Sequence, residues 1–271
     1  MAVRVRDTFS QTLGELRHEP TAKRIRAELD GAVALDTTEA VLLWEPRRVV
    51  PTYAVPAAAI RAPLVEGAHD DGGGAREVGL SLPELSQRPV LDPSIPFTVH
   101  TAVGRMLDVG GRAGAGFALA DPALAGYVAL DFDAFDAWFE EDRPTVGHPR
   151  DPFHRIDALA STRSVRIEHG GQVLAASSRP VLVFETMLPT RFYLPRADVR
   201  AELEPSPTRT TCAYKGHASY WSVAGLADIA WSYPEPQEEL ARLQDLICFF
   251  DERLDVTLDG VTRPRPVTPW S

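Results

Sequence analysis

The chain has 271 residues, of which 44% are apolar and 24% are charged, a balance typical of one large or two small soluble domains. Its formal net charge of −10 argues against a nucleic-acid binder, because phosphate contacts need a basic surface. Neither an apolar signal segment at the start nor a run of about 18 apolar residues is present, and the two cysteines form no zinc or disulfide pattern. We therefore expect a reduced, cytoplasmic protein with no membrane partner.

The first predicted domain covers residues 1–141. Its Asp30-Gly31 pair is a hairpin signal, Tyr127–Phe132 has the pattern of a strand, and Ala134–Glu141 is predicted as a short closing helix. Residues 66–75 (EGAHDDGGGA) form a glycine- and aspartate-rich insertion that predicts a surface loop. The proline-rich residues 142–157 are predicted to be an inter-domain linker.

The second predicted domain covers residues 158–262 and is rich in strand signals. The apolar spacing of Leu240, Leu243, Leu246, Ile247 and Phe250 predicts a closing helix over Gln237–Phe249. Residues 263–271 are predicted to be a tail. Strands are predicted at Arg163–Glu168, Gln172–Ala176, Pro180–Phe184, Thr190–Leu194, Thr208–Ala213, His217–Val223, Asp228–Tyr233 and Val256–Leu258.

The two predicted domains contain related sequences. GAVALDTTEAVLLWE (31–45) and GQVLAASSRPVLVFE (171–185) share five identities over fifteen positions, where chance gives about one. The offset of 140 also places Tyr53 on Tyr193. After one deletion it places Pro56 on Pro195 and Arg61-Ala62 on Arg200-Ala201. We infer a tandem duplication.

Several stretches resemble a bacterial family known as domain of unknown function family 427, which some catalogues label nucleotidyltransferase-like. They are HPRDPFHR (148–155), RPVLVFETMLPTRFYLP (179–195), AYKGHASYWSV (213–223) and AWSYPEP (230–236). The resemblance covers nearly the whole chain and implies a mainly β protein, with two tandem β-tent-like domains of small antiparallel sheets packed at an angle. Because helices are predicted at Ala134–Glu141 and Gln237–Phe249, each domain is also expected to end in a helix. Paired cysteines that hold zinc in relatives of that fold are absent from this sequence.

Reactive side chains concentrate at residues 212–223 (CAYKGHASYWSV), in the second domain only. When Val109 is set on Val223, Lys215, His217 and Ser219 replace Thr101, Val103 and Arg105. In the same way Arg191 replaces Pro51. Because the first copy lacks these groups, the fold does not require them. The difference predicts a pocket in the second domain.

Residue chemistry suggests roles in that pocket. We expect the groups that handle protons or developing charge to be Lys215, His217 and Tyr220. We expect ligand contacts from Arg191, Tyr193, Ser219, Trp231 and Tyr233, with the two aromatic residues of the next strand as a stacking wall. The two cations favour a small polar or anionic ligand, bound without a metal or organic cofactor. Whether the chain is an enzyme stays open.

Other readings of the same residues stay open beside this one. Glu45 and Glu185 end the same strand in both copies, where pairing with a strand arginine is the structural reading. Asp131 and Asp133 have the spacing of a magnesium site in nucleotidyltransferases, but also lie where a helix cap belongs. His148, Asp151 and His154 resemble metal ligands in type but lie in the proline-rich linker. A non-catalytic protein-interaction module is the alternative function.

Overall fold

A computed structural model describes residues 2–67, 78–82, 85–86, 88–223, 225–268 and 270. The chain divides into two compact units, unit 1 (Met1–Asp151) and unit 2 (Pro152–Ser271). The division lies within the segment that the sequence predicts as a linker. Most of the predicted 66–75 loop, from residue 68 onward, lies outside the described residues.

Unit 1 is built almost entirely from antiparallel strands, preceded by one exposed α-helix, α1 (Val5–Thr12). Short 3-10 turns lie at Ala57–Ala59, Pro122–Leu124 and Phe132–Ala134. Its described strands are β1 (Arg17–Pro20), β2 (Ile25–Leu29), β3 (Ala32–Thr37), β4 (Val41–Trp44), β5 (Thr52–Pro56), β6 (Leu64–Glu66), β7 (Gly104–Val109), β8 (Arg112–Leu119), β9 (Tyr127–Leu130), β10 (Ala137–Glu140) and β11 (Arg143–Pro144).

Unit 2 repeats the same succession of strands. Short 3-10 turns lie at Arg196–Asp198 and Glu238–Leu243. Its described strands are β12 (Ile156–Ala160), β13 (Val165–His169), β14 (Gln172–Ser177), β15 (Val181–Glu185), β16 (Arg191–Pro195), β17 (Glu204–Cys212), β18 (Gly216–Val223), β19 (Leu226–Ser232), β20 (Leu246–Phe249), β21 (Asp255–Leu258) and β22 (Val261–Thr262).

Both units have the same sheet topology. In unit 1 a seven-stranded sheet has the order β1-β4-β5-β9-β8-β7-β6, and a four-stranded sheet has the order β11-β10-β2-β3. In unit 2 the orders are β12-β15-β16-β20-β19-β18-β17 and β22-β21-β13-β14, so each strand number is eleven higher. Bulges also match: β2 and β13 shift register at Ala27 and Ile167, and β7 and β18 shift after Leu107 and Trp221.

The strand predictions for unit 2 are confirmed in position to within a few residues. The first hairpin turns at Gly170-Gly171, both with positive φ, as a tight hairpin between twisted strands requires. Asp30 and Gly31 turn in the same way in unit 1. The buried strand after Pro180 and the strand that closes at Pro195 are paired neighbours in the larger sheet.

The predicted closing helices are wrong. Glu238–Leu243 is a 3-10 turn with non-helical angles at Leu240, and Leu246–Phe249 is a strand in the middle of the sheet. The 134–141 segment likewise contains a strand, Ala137–Glu140. A buried strand needs a continuous apolar run, and such a run placed after a 3-10 turn imitates helical spacing. Asp245 marks the break with φ of 61°.

Each unit has its core between the two sheets, with further packing on the opposite face of the larger sheet. In unit 1, Trp138 of the smaller sheet packs against Tyr53 and Phe132 and donates from Nε1 to the Phe132 carbonyl at 2.9 Å. A separate cluster on the opposite face contains Val41, Ala54, Phe117 and Ala129. In unit 2 one continuous cluster spans both faces. Among the described residues, no helix is long and apolar enough to cross a membrane.

Strand register corrects one equivalence between the copies. Tyr53 lies opposite Leu42, whereas Phe192 lies opposite Leu182. Ala54 and Tyr193 hold the next positions, opposite Val41 and Val181. Tyr193 therefore corresponds to Ala54 and not to Tyr53, and Arg191 corresponds to Thr52 and not to Pro51. The deletion precedes the strand, so the offset is already 139 where these residues pair.

Candidate functional site

A buried lysine–glutamate pair links two strands of the larger sheet of unit 2 that are not neighbours in the sheet. Lys215 precedes β18 and donates from Nζ to Glu185 Oε2 of β15 at 2.6 Å. Three strands separate β15 from β18 in the sheet order, so the sheet must coil strongly to bring them together. Both side chains are buried, with 9% and 7% of their surface exposed.

A histidine completes this cluster from the start of unit 2. His154 Nε2 lies 3.1 Å from Glu185 Oε1, so the two carboxylate oxygens have different partners. Tyr214 packs on the His154 ring with a centroid distance of 4.6 Å. We call Lys215, Glu185 and His154 the K-E-H cluster.

Electrostatics keep the lysine and the glutamate charged despite their burial. Burial opposes ionisation of Glu185, but the hydrogen bond with His154 and the charge of Lys215 outweigh it, and its pKa is lowered to about 2. Burial also works against the ammonium of Lys215, yet the Glu185 charge outweighs it and the pKa of Lys215 is raised. At neutral pH the pair is an ammonium and a carboxylate, whose charges cancel.

Local backbone geometry explains why a glycine follows the lysine. Gly216 has φ of +100°, and a Cβ there would lie 3.1 Å from the Glu235 carbonyl oxygen. The Lys215 carbonyl accepts a hydrogen bond from the Gln237 backbone at 3.1 Å. These contacts fix the backbone that carries Lys215. The register shift of this strand lies at Trp221–Val223, so Gly216 itself is not the bulge.

The equivalent glutamate of unit 1 has different partners. Glu45 Oε2 accepts from the backbone N–H groups of Thr101 and Ala102 at 2.6 and 2.9 Å, and Oε1 lies 2.7 Å from His100 Nδ1. Thr101 occupies the position of Lys215, and its hydroxyl donates to the Pro46 carbonyl. Two backbone N–H groups therefore bind the carboxylate oxygen in unit 1, whereas a lysine side chain binds it in unit 2.

A second charged cluster lies around Arg191 on the same face of the unit 2 sheet. Arg191 is paired across the strands with Val183, two residues before Glu185, so Arg191 and Glu185 are diagonal neighbours. Its guanidinium donates to Glu252 at 2.8 and 2.5 Å and also to Asp251. One cation thus meets two carboxylates.

The two carboxylates of this cluster respond differently to burial. Burial raises the pKa of Asp251 to about 6, although Arg191 opposes the shift. Burial also acts on Glu252, but its hydrogen bonds with Arg191 outweigh it and the pKa is lowered. The pKa of Arg191 is raised, because its contacts with Glu252 and Asp251 outweigh burial. Near neutral pH the cluster carries an excess negative charge.

Aromatic residues continue from Arg191 across the same face. The guanidinium lies 5.5 Å from the Trp231 ring, which donates from Nε1 to the Tyr193 hydroxyl at 3.0 Å. Phe250 packs on Trp231 at 4.5 Å and on Tyr220 at 6.3 Å. Cross-strand pairing places Tyr193, Trp231 and Tyr220 in one row with Cys248.

With this geometry described, comparison with known proteins adds a family. The model described as "Domain of unknown function (DUF427)", with the label NTP_transf_9, matches residues 157–260. No curated protein matches the chain. The K-E-H cluster takes Lys215 and Glu185 from inside the matched DUF427 range and His154 from just before it.

Unit 2 separates the predicted site residues onto two faces. Arg191, Tyr193, Tyr220 and Trp231 share the face described above, and Tyr233 lies buried directly after the end of β19. His217 and Ser219 alternate with Tyr220 along β18 and therefore lie on the other face. His217 is exposed and its Nδ1 lies 3.1 Å from the Thr211 hydroxyl.

Sequence reasoning missed most of the partners. Glu185 was expected to pair with a strand arginine, but its partners are Lys215 and His154. The sequence indicates His154 as a linker residue of metal-ligand type and not as a partner of Glu185, because a separation of 31 residues gives no periodic signal. Asp251 and Glu252 carry a weak signal, since two acids directly follow the apolar run LICFF.

The aspartate pair of unit 1 occupies a capping position. Asp131 Oδ1 accepts from the Asp133 backbone N–H at 3.2 Å, at the start of the Phe132–Ala134 turn. Burial raises the pKa of Asp131, which is unfavourable for a cation ligand. Within the described part of the chain, no group of three or more His, Cys, Asp or Glu side chains is arranged to hold a metal ion.

Proposed function

We propose that the DUF427 unit of this chain binds a small polar molecule at the face that carries the K-E-H cluster and Arg191. The observation that carries the proposal is the contrast between Lys215 and Thr101. The fold satisfies a buried glutamate at this position with two backbone N–H groups in unit 1. A buried lysine that needs a carboxylate to stay charged is therefore not a requirement of the fold, and such groups mark candidate functional sites.

The charges of the two clusters narrow the ligand class. Lys215 is neutralised by Glu185, and Arg191 faces two carboxylates, so neither cation is left to attract an anion. The excess carboxylate of the Arg191 cluster favours a neutral or positively charged polar molecule. The aromatic row at Trp231 and Tyr220 supplies stacking surface for a flat or apolar part of the same ligand.

The proposed setting follows from the same observations. The matching strand order of the two units supports a tandem pair of β-tent domains, in which unit 2 holds the ligand. His154 and Tyr214 stand at the less buried side of the cluster, where the His154 side chain is 21% exposed. If a reaction takes place there, His154 is the group placed to exchange a proton with the ligand.

Ligand-detected NMR with a panel of polyols, amines, nucleosides and carboxylates tests the proposal. We expect neutral or cationic compounds to bind, and His154→Ala and Lys215→Arg each to weaken binding tenfold or more, which corresponds to about 1.4 kcal/mol. His217→Ala, on the other face, is the matched control and should leave binding unchanged. If only carboxylates bind, the ligand is anionic, as the sequence predicts, and the neutral or cationic ligand class is wrong. Equal binding by all variants would overturn the site.

A second candidate function, docking of a partner protein, has one specific observation in its favour. Leu159 of the edge strand β12 is 53% exposed and Phe184 of β15 is 42% exposed. Their cross-strand partners are Leu182 and Asp157, so the two side chains are diagonal neighbours. Sedimentation velocity over a range of concentrations, with Leu159→Lys as the variant, tests for self-association through this patch. Identical profiles for both proteins would argue against such a contact.

A further inference from the structure

Unit 1 holds a carboxylate–imidazole pair that the proposed function does not use. Glu45 Oε1 lies 2.7 Å from His100 Nδ1, and the two backbone N–H groups that hold Oε2 fix the carboxylate in place. The imidazole is also fixed, because it stacks on Phe117 with a centroid distance of 3.8 Å and an interplanar angle of 8°. A carboxylate oxygen can only accept, so Nδ1–H donates to Glu45, and in the neutral ring Nε2 then presents its lone pair.

That second ring nitrogen has no partner among the described residues. His100 Nε2 is buried and makes no hydrogen bond there, while the side chain as a whole is 11% exposed. An unsatisfied buried polar atom costs about 1–3 kcal/mol, so native proteins pair such atoms with protein, water or ligand groups.

Small residues share the cluster of Phe117, on which this imidazole stacks. They include Ala54, Ala102 and Ala129, where the corresponding positions of unit 2 carry Tyr193, Gly216 and Cys248.

We propose that Glu45 and His100 form a second ligand site, which takes a small neutral molecule bearing hydroxyl groups. One ligand hydroxyl donates to His100 Nε2, and Glu45 holds the imidazole in the tautomer that accepts it. This site lies wholly within unit 1 and does not depend on the function proposed for unit 2.

NMR of the full chain labelled with ¹⁵N-histidine tests the proposal, with ethylene glycol as the probe. The His100 Nε2 resonance should shift saturably with ethylene glycol and should not shift with acetonitrile, which is of similar size but has no hydrogen to donate. The resonance is assigned by its loss in His100→Phe. Should that variant fail to fold, His100→Gln serves the same purpose.

A crystal structure of the chain soaked in ethylene glycol distinguishes the ligand from ordered water. Glycol within hydrogen-bond distance of Nε2 supports the site. A water molecule that glycol does not displace would overturn it, and so would a nitrogen resonance that glycol and acetonitrile shift equally. A ring turned so that Nε2 meets Glu45 would also overturn it, since the acceptor would then be the other nitrogen.

Discussion

The same buried glutamate has different partners in the two units, and the difference separates what the fold needs from what unit 2 adds. In unit 1, Glu45 is held by backbone N–H groups and His100. In unit 2, Glu185 is held by Lys215 and by His154, which reaches it from a different part of the chain. The imidazole is thus supplied from two unrelated sequence positions, while the carboxylate stays in place.

The shared face of the larger sheet shows the same contrast. Unit 1 has Ala54, Ala129 and Phe117 in the row where unit 2 has Tyr193, Cys248 and Trp231. The first row holds apolar side chains only, whereas the second includes a buried hydroxyl–indole hydrogen bond. In this row, unit 2 therefore has a buried hydrogen bond where unit 1 has apolar side chains only.

Lys215→Met should have the largest effect on stability. It leaves the buried Glu185 with His154 alone, and an uncompensated buried charge costs about 3–5 kcal/mol. Thr101→Val at the equivalent position should cost about 1 kcal/mol, because only the hydroxyl bond to Pro46 is lost. Urea unfolding followed by hydrogen-exchange mass spectrometry reads the two units separately. Equal losses of unfolding free energy in both variants would show that the lysine contributes no more to unit 2 than the threonine does to unit 1.

The pH dependence of unit 2 should differ from that of unit 1. The pKa of Asp251 is raised to about 6 from an ordinary value of 3.8, so the folded state binds its proton more tightly than the unfolded chain. Stability should then rise as pH falls from about 7 towards 4. The pKa of Glu185 is lowered to about 2 from 4.5, so its contribution is present above about pH 4.5 and is lost between there and pH 2.

Asp251→Asn isolates the first of these contributions. We expect the free energy of unfolding at pH 7.5 to increase by on the order of 1–2 kcal/mol. The increase is no larger because the lowered pKa of Glu252 offsets part of the effect. The rise in stability between pH 7 and 5 should disappear. Asp133→Asn in unit 1 is the control, because Asp133 is exposed. A variant less stable than wild type at pH 7.5 would show that Arg191 needs both carboxylates.

How much of this could be predicted from the sequence depends on the range of the signal. The strands around Val181–Glu185 and the turn at Gly170-Gly171 follow from local composition, and the structure confirms them. Leu246–Phe249 was assigned to a helix, since four apolar residues do not distinguish a strand from one helical turn. The contact between Lys215 and Glu185 depends on sheet coiling over five strands, which no local pattern encodes.

Tyr193→Phe should cost about 1–2 kcal/mol, because it leaves the buried Trp231 N–H without its acceptor. Tyr53→Phe in unit 1 also removes a hydroxyl, but its partner Glu140 still binds Lys23 at 2.5 Å, so we expect a smaller loss. Thermal unfolding monitored by near-ultraviolet circular dichroism checks both variants. A larger effect of the Tyr53 variant would show that the polar row of unit 2 contributes little.

His217→Ala and Ser219→Ala should have the smallest effects, although the sequence predicts both residues in the pocket. They lie on the face opposite Tyr220, and His217 contributes one exposed contact with Thr211. We expect each to change stability by no more than about 0.5 kcal/mol. Neither should change ligand-detected NMR signals that Tyr220→Ala reduces. The two side chains lie on opposite sides of the sheet and cannot both contact one small molecule. If His217→Ala abolishes binding while Tyr220→Ala does not, the ligand binds on the other face of β18.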